Sequence, residues 1–138
     1  MARQLTNIAA GAGETCPLGF TLNYAAPETI SAYEDNQQTS RVEAAVDVWA
    51  LGIIAYELLT QEPVFRPGVT DGEARDALMG RSTLPWEDIV RRPLHAPELA
   101  AVRPTVLACL ARSASERMST ADVAKGWRNA AASRVLHP

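Results

Sequence analysis

Cysteine and histidine are scarce in this chain of 138 residues, with two of each. Cys16 and Cys109 are too few for a disulfide framework, and they lack zinc-ligand spacing. His95 and His137 stand at no ligand spacing with acidic or cysteine partners. Disulfide scaffolds and metal centres are thereby set aside. The same cysteine usage points to a reduced, intracellular setting, with the cytoplasm as the expected location. A dominant charge is also lacking. The formal net charge is −3, and Lys and Arg are scattered without a block of like charges, so neither nucleic acid nor a membrane surface is an expected partner. The longest apolar stretch, Val48 to Leu59, is interrupted by Gly52 and Glu57 and falls short of the ~20 residues a membrane helix needs. Met1-Ala2-Arg3-Gln4 leads into small and polar residues, not into the apolar stretch of a signal peptide. There are no internal repeats, no G-x-S-x-G and no Walker pattern. Gly11-Ala12-Gly13 is too short to cradle a phosphate.

What is present is a chain that folds. Apolar residues make up 47% of it, enough for a core within one domain or part of one. Gly11, Gly13, Pro17 and Gly19 mark the first eighteen or so positions as loop. A helical turn is expected from Pro27 to about Ala32, and an exposed polar connection from Glu34 to Ser40. The strongest helix spans 43–60. It is apolar almost all round, which reads as burial on every side, and Pro63 stops it. Gln61 to Val69 reads as loop. Asp71 to Met79 reads as a short helix capped by Asp71. Leu84-Pro85-Trp86-Glu87 is a turn, and Pro93 and Pro97 interrupt the stretch after it. Pro104 suits the first turn of a helix to about Ala111, with Val106, Leu107, Leu110 and Ala111 on one face. Ser119 or Thr120 caps a last helix ending near Ala132, on which Val123, Gly126, Trp127 and Ala130 share a side. The expected fold is mainly α, with long loops and no convincing strand.

Two motifs carry a resemblance. Thr21-Leu22-Asn23-Tyr24-Ala25-Ala26-Pro27-Glu28 looks like the end of a protein-kinase activation segment, closing on A-P-E. Val46-Asp47-Val48-Trp49-Ala50-Leu51-Gly52 looks like the start of the long central helix of the kinase C-lobe. A third stretch, Ser115-Glu116-Arg117-Met118-Ser119-Thr120-Ala121-Asp122, is similar to the family's D-P-x-x-R-P-T-A. There Ser113 and Ala114 stand in place of Asp-Pro, and Met118 in place of Pro. The resemblance implies the helical C-lobe portion of a eukaryotic-type Ser/Thr protein kinase. Residues 1–28 would be the activation segment, 43–60 the central helix and 71–132 the remaining helices.

The resemblance also implies roles. Gly19, Phe20, Thr21 and Tyr24 would form a substrate-binding shelf, and the threonine leans it towards Ser/Thr substrates. Pro27 and Glu28 close the segment, and Glu28 would pair with Arg117. A partly buried carboxylate needs a charged, hydrogen-bonded partner, and arginine supplies two parallel bonds. Charge swapping at both positions is then expected to restore stability. Asp47 would accept hydrogen bonds from the catalytic loop, and capping of its own helix remains open beside that role. Trp49 is core. Gly52 is disfavoured in a helix by ~1 kcal/mol relative to alanine, which a closely approaching second helix explains. Thr6, Thr15 and Ser40 are candidate phosphorylation sites.

No glycine-rich loop, lysine strand, H-R-D or D-F-G occurs in the sequence. Met1-Ala2-Arg3 is similar to the residues that come after D-F-G in kinases, so the start is expected to lie just after that motif, through truncation, a misplaced start or a cut. ATP and Mg2+ are implied for the intact family, but no residue here is a candidate for holding either. The chain alone is expected to be inactive, with apolar surface of its central helix facing water. Expected partners are a protein substrate or the missing N-terminal kinase half. An alternative is a non-catalytic, kinase-derived interaction module. An unrelated helical domain is the third reading.

Overall fold

A computed structural model describes residues 15–17, 22–36, 39–41, 43–82 and 97–136 of the chain. Among the described residues, five α-helices carry the fold: α1 (Pro27–Glu34), α2 (Ala44–Thr60), α3 (Asp71–Leu78), α4 (Arg103–Cys109) and α5 (Thr120–Leu136). Among them too, the 3-10 helices Leu22–Tyr24 and Pro97–Val102 lead into α1 and α4. The mainly helical expectation holds.

One expectation fails. Strand β1 (Thr15–Pro17) pairs antiparallel with β2 (Thr39–Arg41), Cys16 opposite Ser40. Each strand is three residues long. That is too short to show the two-residue alternation by which a strand is read from sequence, and the pairing is non-local.

α1 starts where Pro27 takes the first helical position, after an extended Ala26 (φ −71°, ψ 151°). Proline's fixed φ suits that position, and it disfavours helix in the residue before it. The helix runs to Glu34, two residues past expectation, and the chain leaves it through Asn36 in the left-handed region (φ 56°). α2 ends at Thr60 because Gln61 turns left-handed (φ 57°), two residues ahead of Pro63.

The cap of α3 is Thr70 rather than Asp71. Thr70 Oγ1 accepts from Glu73 N–H at 3.2 Å, while Glu73 Oε2 accepts from Thr70 N–H at 2.8 Å. This is a reciprocal capping box, whose T-x-x-E spacing is present in the sequence. Ser119 caps α5 by accepting from Asp122 N–H at 3.2 Å. That helix continues four residues beyond the expected end at Ala132, and α4 stops two residues short of Ala111.

α2 is the spine of the core. Trp49, Ile53, Tyr56 and Leu59 recur on one face and are buried with Ile30, Leu78, Val106 and Leu110. α2 crosses α4 at Gly52, where an added Cβ would lie 2.8 Å from Cys109 Cβ and 2.9 Å from Leu110 Cδ2. The close approach expected from the sequence is therefore present. α5 docks on α4 in the same way: a side chain at Gly126 would collide with Thr105. Val48, Cys109 and Val123 form a second buried cluster, with Met118 and Trp127 packed against it.

Burial of α2 on every side is not observed. Leu51, Ile54 and Leu58 are 43%, 46% and 66% exposed. The 3-10 helix at 22–24, α4 and α5 pack on the other sides of α2. Its mean hydropathy is high all round, but packing neighbours, not hydropathy, decide which apolar side chains are covered. The other expectation, that part of the apolar surface of this helix faces water, matches what is seen.

Candidate functional site

Glu28 lies in the first turn of α1, where the helix dipole favours a carboxylate. Arg117 comes after α4, in a tight turn whose Arg117 N–H bonds back to Ser113 O at 3.1 Å. The Ser113 and Ser115 hydroxyls sit 2.9 Å apart in the same turn. Met118 N–H then donates to Ala108 O at 3.1 Å. A proline at 118 has no N–H to make that bond. Met118 thus gives the turn a tie that a proline at this position could not make.

Between these two elements the side chains meet. Arg117 Nη1 donates to Glu28 Oε1 at 2.7 Å, and Nη2 to Oε2 at 3.0 Å. The Arg117 side chain is fully shielded from solvent, whereas the Glu28 side chain keeps 35% of its exposure. Arg117 also donates to three carbonyls: Ala45 O at 2.6 Å, Ala111 O at 3.0 Å and Arg112 O at 3.3 Å. All five guanidinium N–H groups therefore have a partner. The guanidinium carbon stands 5.2 Å from the ring centre of the buried Trp49, in cation–π range. One side chain thus ties the start of α1, the start of α2 and the segment after α4.

The sequence pointed to the Glu28–Arg117 pair through the resemblance, and to Trp49 separately as core. It held no sign of Ala45, Ala111 or Arg112, because a backbone carbonyl carries no signature of side-chain type. Position 117 needed a guanidinium in particular, since no other side chain offers five donors.

A family model for the protein kinase domain matches residues 2–127. The chain belongs to the protein kinase domain family. No curated protein matches it.

In this kinase-domain chain the remaining candidate residues are not gathered at one place. Pro27 is buried at the head of α1. Gly52 lies in the α2–α4 contact. Asp47 is exposed in the first turn of α2, with no hydrogen bond to it among the described residues. It does not cap the helix, because Glu43 holds the N-cap position and makes no side-chain cap bond. Tyr24 is half-exposed beside a shallow groove lined by Ile54, Glu57, Leu58, Gln61, Glu62 and Pro63. Gly19, Phe20 and Thr21 lie outside the described residues, as do Thr6 and the turn at 84–87.

A second groove is lined by Phe65, Pro67, Gly68, Val69, Glu73, Asp76, Ala77 and Ser82. Neither groove presents a lysine or arginine, and both present carboxylates. That chemistry repels a nucleoside triphosphate, so these residues do not fit ATP. Among the described residues, no three His, Cys, Asp or Glu side chains cluster to hold a metal ion. No described helix is long and apolar enough to cross a membrane.

Proposed function

We propose that this chain is the helical C-lobe segment of a Ser/Thr-type protein kinase, and that these residues alone do not transfer phosphate. The observation that carries the reading is the Glu28–Arg117 pair packed over Trp49. It joins the A-P-E stretch, the central helix and the segment after α4. The Ser/Thr leaning rests on Thr21 in the shelf Gly19, Phe20, Thr21 and Tyr24, which would take a protein substrate.

Phosphoryl transfer needs a lysine on the phosphates, an aspartate that orients the hydroxyl and side chains that hold Mg2+. No motif in the sequence supplies them, so no catalytic step is assigned to these residues. The activity would need the N-terminal kinase half as a partner. The purified chain, incubated with labelled ATP, Mg2+ and a generic Ser/Thr substrate, is expected to leave the substrate unlabelled. Label transfer above a no-protein control overturns the reading.

A second reading, a non-catalytic interaction module, is favoured by the exposed Leu51, Ile54 and Leu58 on the core helix α2.

A further inference from the structure

The end of α1 carries acids at the wrong pole of a helix. Glu34 is its last residue and Asp35 its C-cap, where the dipole disfavours negative charge. α3 and the turn after it supply the compensation. Arg81 Nη1 and Nη2 donate to Glu34 Oε1 and Oε2 at 3.1 and 2.7 Å, and Nη1 also lies 3.4 Å from Asp76 Oδ1. Arg75 stands over the Tyr33 ring, its guanidinium carbon 5.6 Å from the ring centre. The Glu34 carboxyl is lowered chiefly by its hydrogen bond from Arg81, with the charges of Arg81 and Arg75 adding to it. Two guanidinium groups thus converge on two neighbouring residues of α1, and one of them already holds an anion.

Tyr33 is also the most accessible phenol of the chain. Of the three tyrosines, Tyr56 is buried in the core, Tyr24 is 40% exposed and Tyr33 is 52% exposed. Tyr24 borders a groove that presents Glu57 and Glu62, carboxylates that oppose an added anion. Tyr33 lies in the last turn of α1, and the chain turns away through the left-handed Asn36 three residues later. The final turn of a helix opens most easily, which gives a modifying enzyme access to the backbone on either side of the ring.

We propose that Tyr33 is a phosphorylation site and that Arg75 and Arg81 hold the phosphate. The donor is a nucleoside triphosphate, and the catalyst is a separate tyrosine kinase. In the step, the bond between the bridging β–γ oxygen and the γ-phosphorus breaks and a bond from Tyr33 Oη to that phosphorus forms. The nucleoside diphosphate leaves, and the phenolic proton passes to the base of the acting enzyme. The product carries about −1.5 to −2 charges at pH 7 and three acceptor oxygens.

The α1 dipole, Glu34, Asp35 and Asp76 all oppose that charge. Arg75 and Arg81 offset them, because guanidinium–phosphate bonds are charge-assisted and can form in parallel pairs. Glu34 competes for Arg81 with a single charge. Modification therefore draws Arg81 from Glu34 towards the phosphate, and the bridge between α1 and the turn after α3 is remade one residue earlier. The site goes beyond the kinase-segment reading and requires no catalysis by this chain.

The experiment incubates the full chain with ATP, Mg2+ and a promiscuous tyrosine-kinase domain, and maps the product by mass spectrometry. Tyr33 is expected to be modified at least tenfold faster than Tyr24, and Tyr56 not at all. Tyr33→Phe keeps a ring under Arg75, so it should melt with the parent while losing most of the modification. Phosphorus NMR then titrates the phosphate on the modified chain. Its affinity for the second proton is expected to rise at least threefold in Arg75→Gln and in Arg81→Gln, since each cation favours the dianion. It should stay in place in Arg128→Gln, which removes a charge from α5 instead. Faster modification of Tyr24, or none at Tyr33, overturns the inference. So does a phosphate that titrates alike in the parent and both α3-side variants, or that responds equally to all three substitutions.

Discussion

Arg117 and Glu28, 89 positions apart, are joined by two parallel hydrogen bonds of 2.7 and 3.0 Å. The pair is asymmetric. Glu28 keeps contact with water, while Arg117 has none and spends its three other donors on backbone carbonyls.

That asymmetry sets the outcome of mutation. Removing Glu28 leaves a buried guanidinium short of its counter-charge, and removing Arg117 strands three carbonyls and opens a hole beneath Trp49. Each truncation to alanine is expected to lower stability by about 3–5 kcal/mol. The charge swap Glu28→Arg with Arg117→Glu should not restore it, contrary to what the sequence led us to expect. A carboxylate at 117 would face the carbonyls of Ala45, Ala111 and Arg112 as a fellow acceptor. Arg117→Lys keeps the charge but loses the fork, and should fall between the parent and alanine. Urea unfolding monitored by tryptophan fluorescence ranks the four variants. Full recovery in the swap would show that charge alone matters at this position.

Gly52→Ala raises helix propensity by ~1 kcal/mol, yet it is expected to destabilise. The new methyl would meet Cys109 Cβ at 2.8 Å, an atom fixed to the backbone of α4, so one helix must shift. Such overpacking implies a net loss of about 1–3 kcal/mol. Gly72→Ala serves as the control, since a Cβ there has nothing closer than Thr70 Oγ1 at 3.9 Å. Thermal melts that shift alike for the two variants would remove close packing as the reason for Gly52.

Much of this was legible beforehand. The helices at α2, α3 and α5, the glycine contact and the Glu28–Arg117 pair derive from periodicity, from the penalty on a helical glycine and from matched motifs. The misses have distinct physical causes. β1 and β2 are too short to show a period. The α3 cap was placed on Asp71 because it is an acid beside the helix, whereas the bond geometry selects Thr70 and its partner Glu73. α2 looked buried all round because hydropathy reports what a face prefers and says nothing about what is there to cover it. The shelf at Gly19, Phe20 and Thr21 falls outside the described residues, and only Tyr24 can be placed.

Two glutamates link stability to pH. Glu34 is held below the usual carboxylate range, chiefly by its hydrogen bond from Arg81 and secondarily by that residue's charge. Glu73 is lowered chiefly by the Thr70 backbone N–H, with the Thr70 hydroxyl adding to it. Each carboxylate is stabilised in its ionised, folded form. The contribution is therefore complete above the ordinary glutamate value of about 4.3, and it is lost as pH falls through the lower folded value. Glu73→Gln and Glu34→Gln should each flatten the fall in melting temperature between about pH 5 and 3. Salt should weaken only the Glu34 contribution, because its Arg81 pair is surface-exposed and screened. An acid limb unchanged in both variants would assign the acid sensitivity to other groups.

Cys109 gives the last prediction, and it reports on the same packing as Gly52. The thiol is 2% exposed. Burial pushes its pKa up, with the Arg117 charge acting in the opposite direction. At neutral pH it is both protonated and sheltered, and the thiolate is the form that reacts. In a Cys16→Ser background, iodoacetamide should label Cys109 slowly in buffer and rapidly in denaturant. Because α4 must move to admit a methyl at position 52, Gly52→Ala should raise the native labelling rate while leaving the denatured rate unchanged. Arg117→Lys should raise it as well, by loosening the segment beyond Cys109. Rapid labelling of the parent protein, read by intact mass, would mean that α4 does not stay seated on α2 in solution.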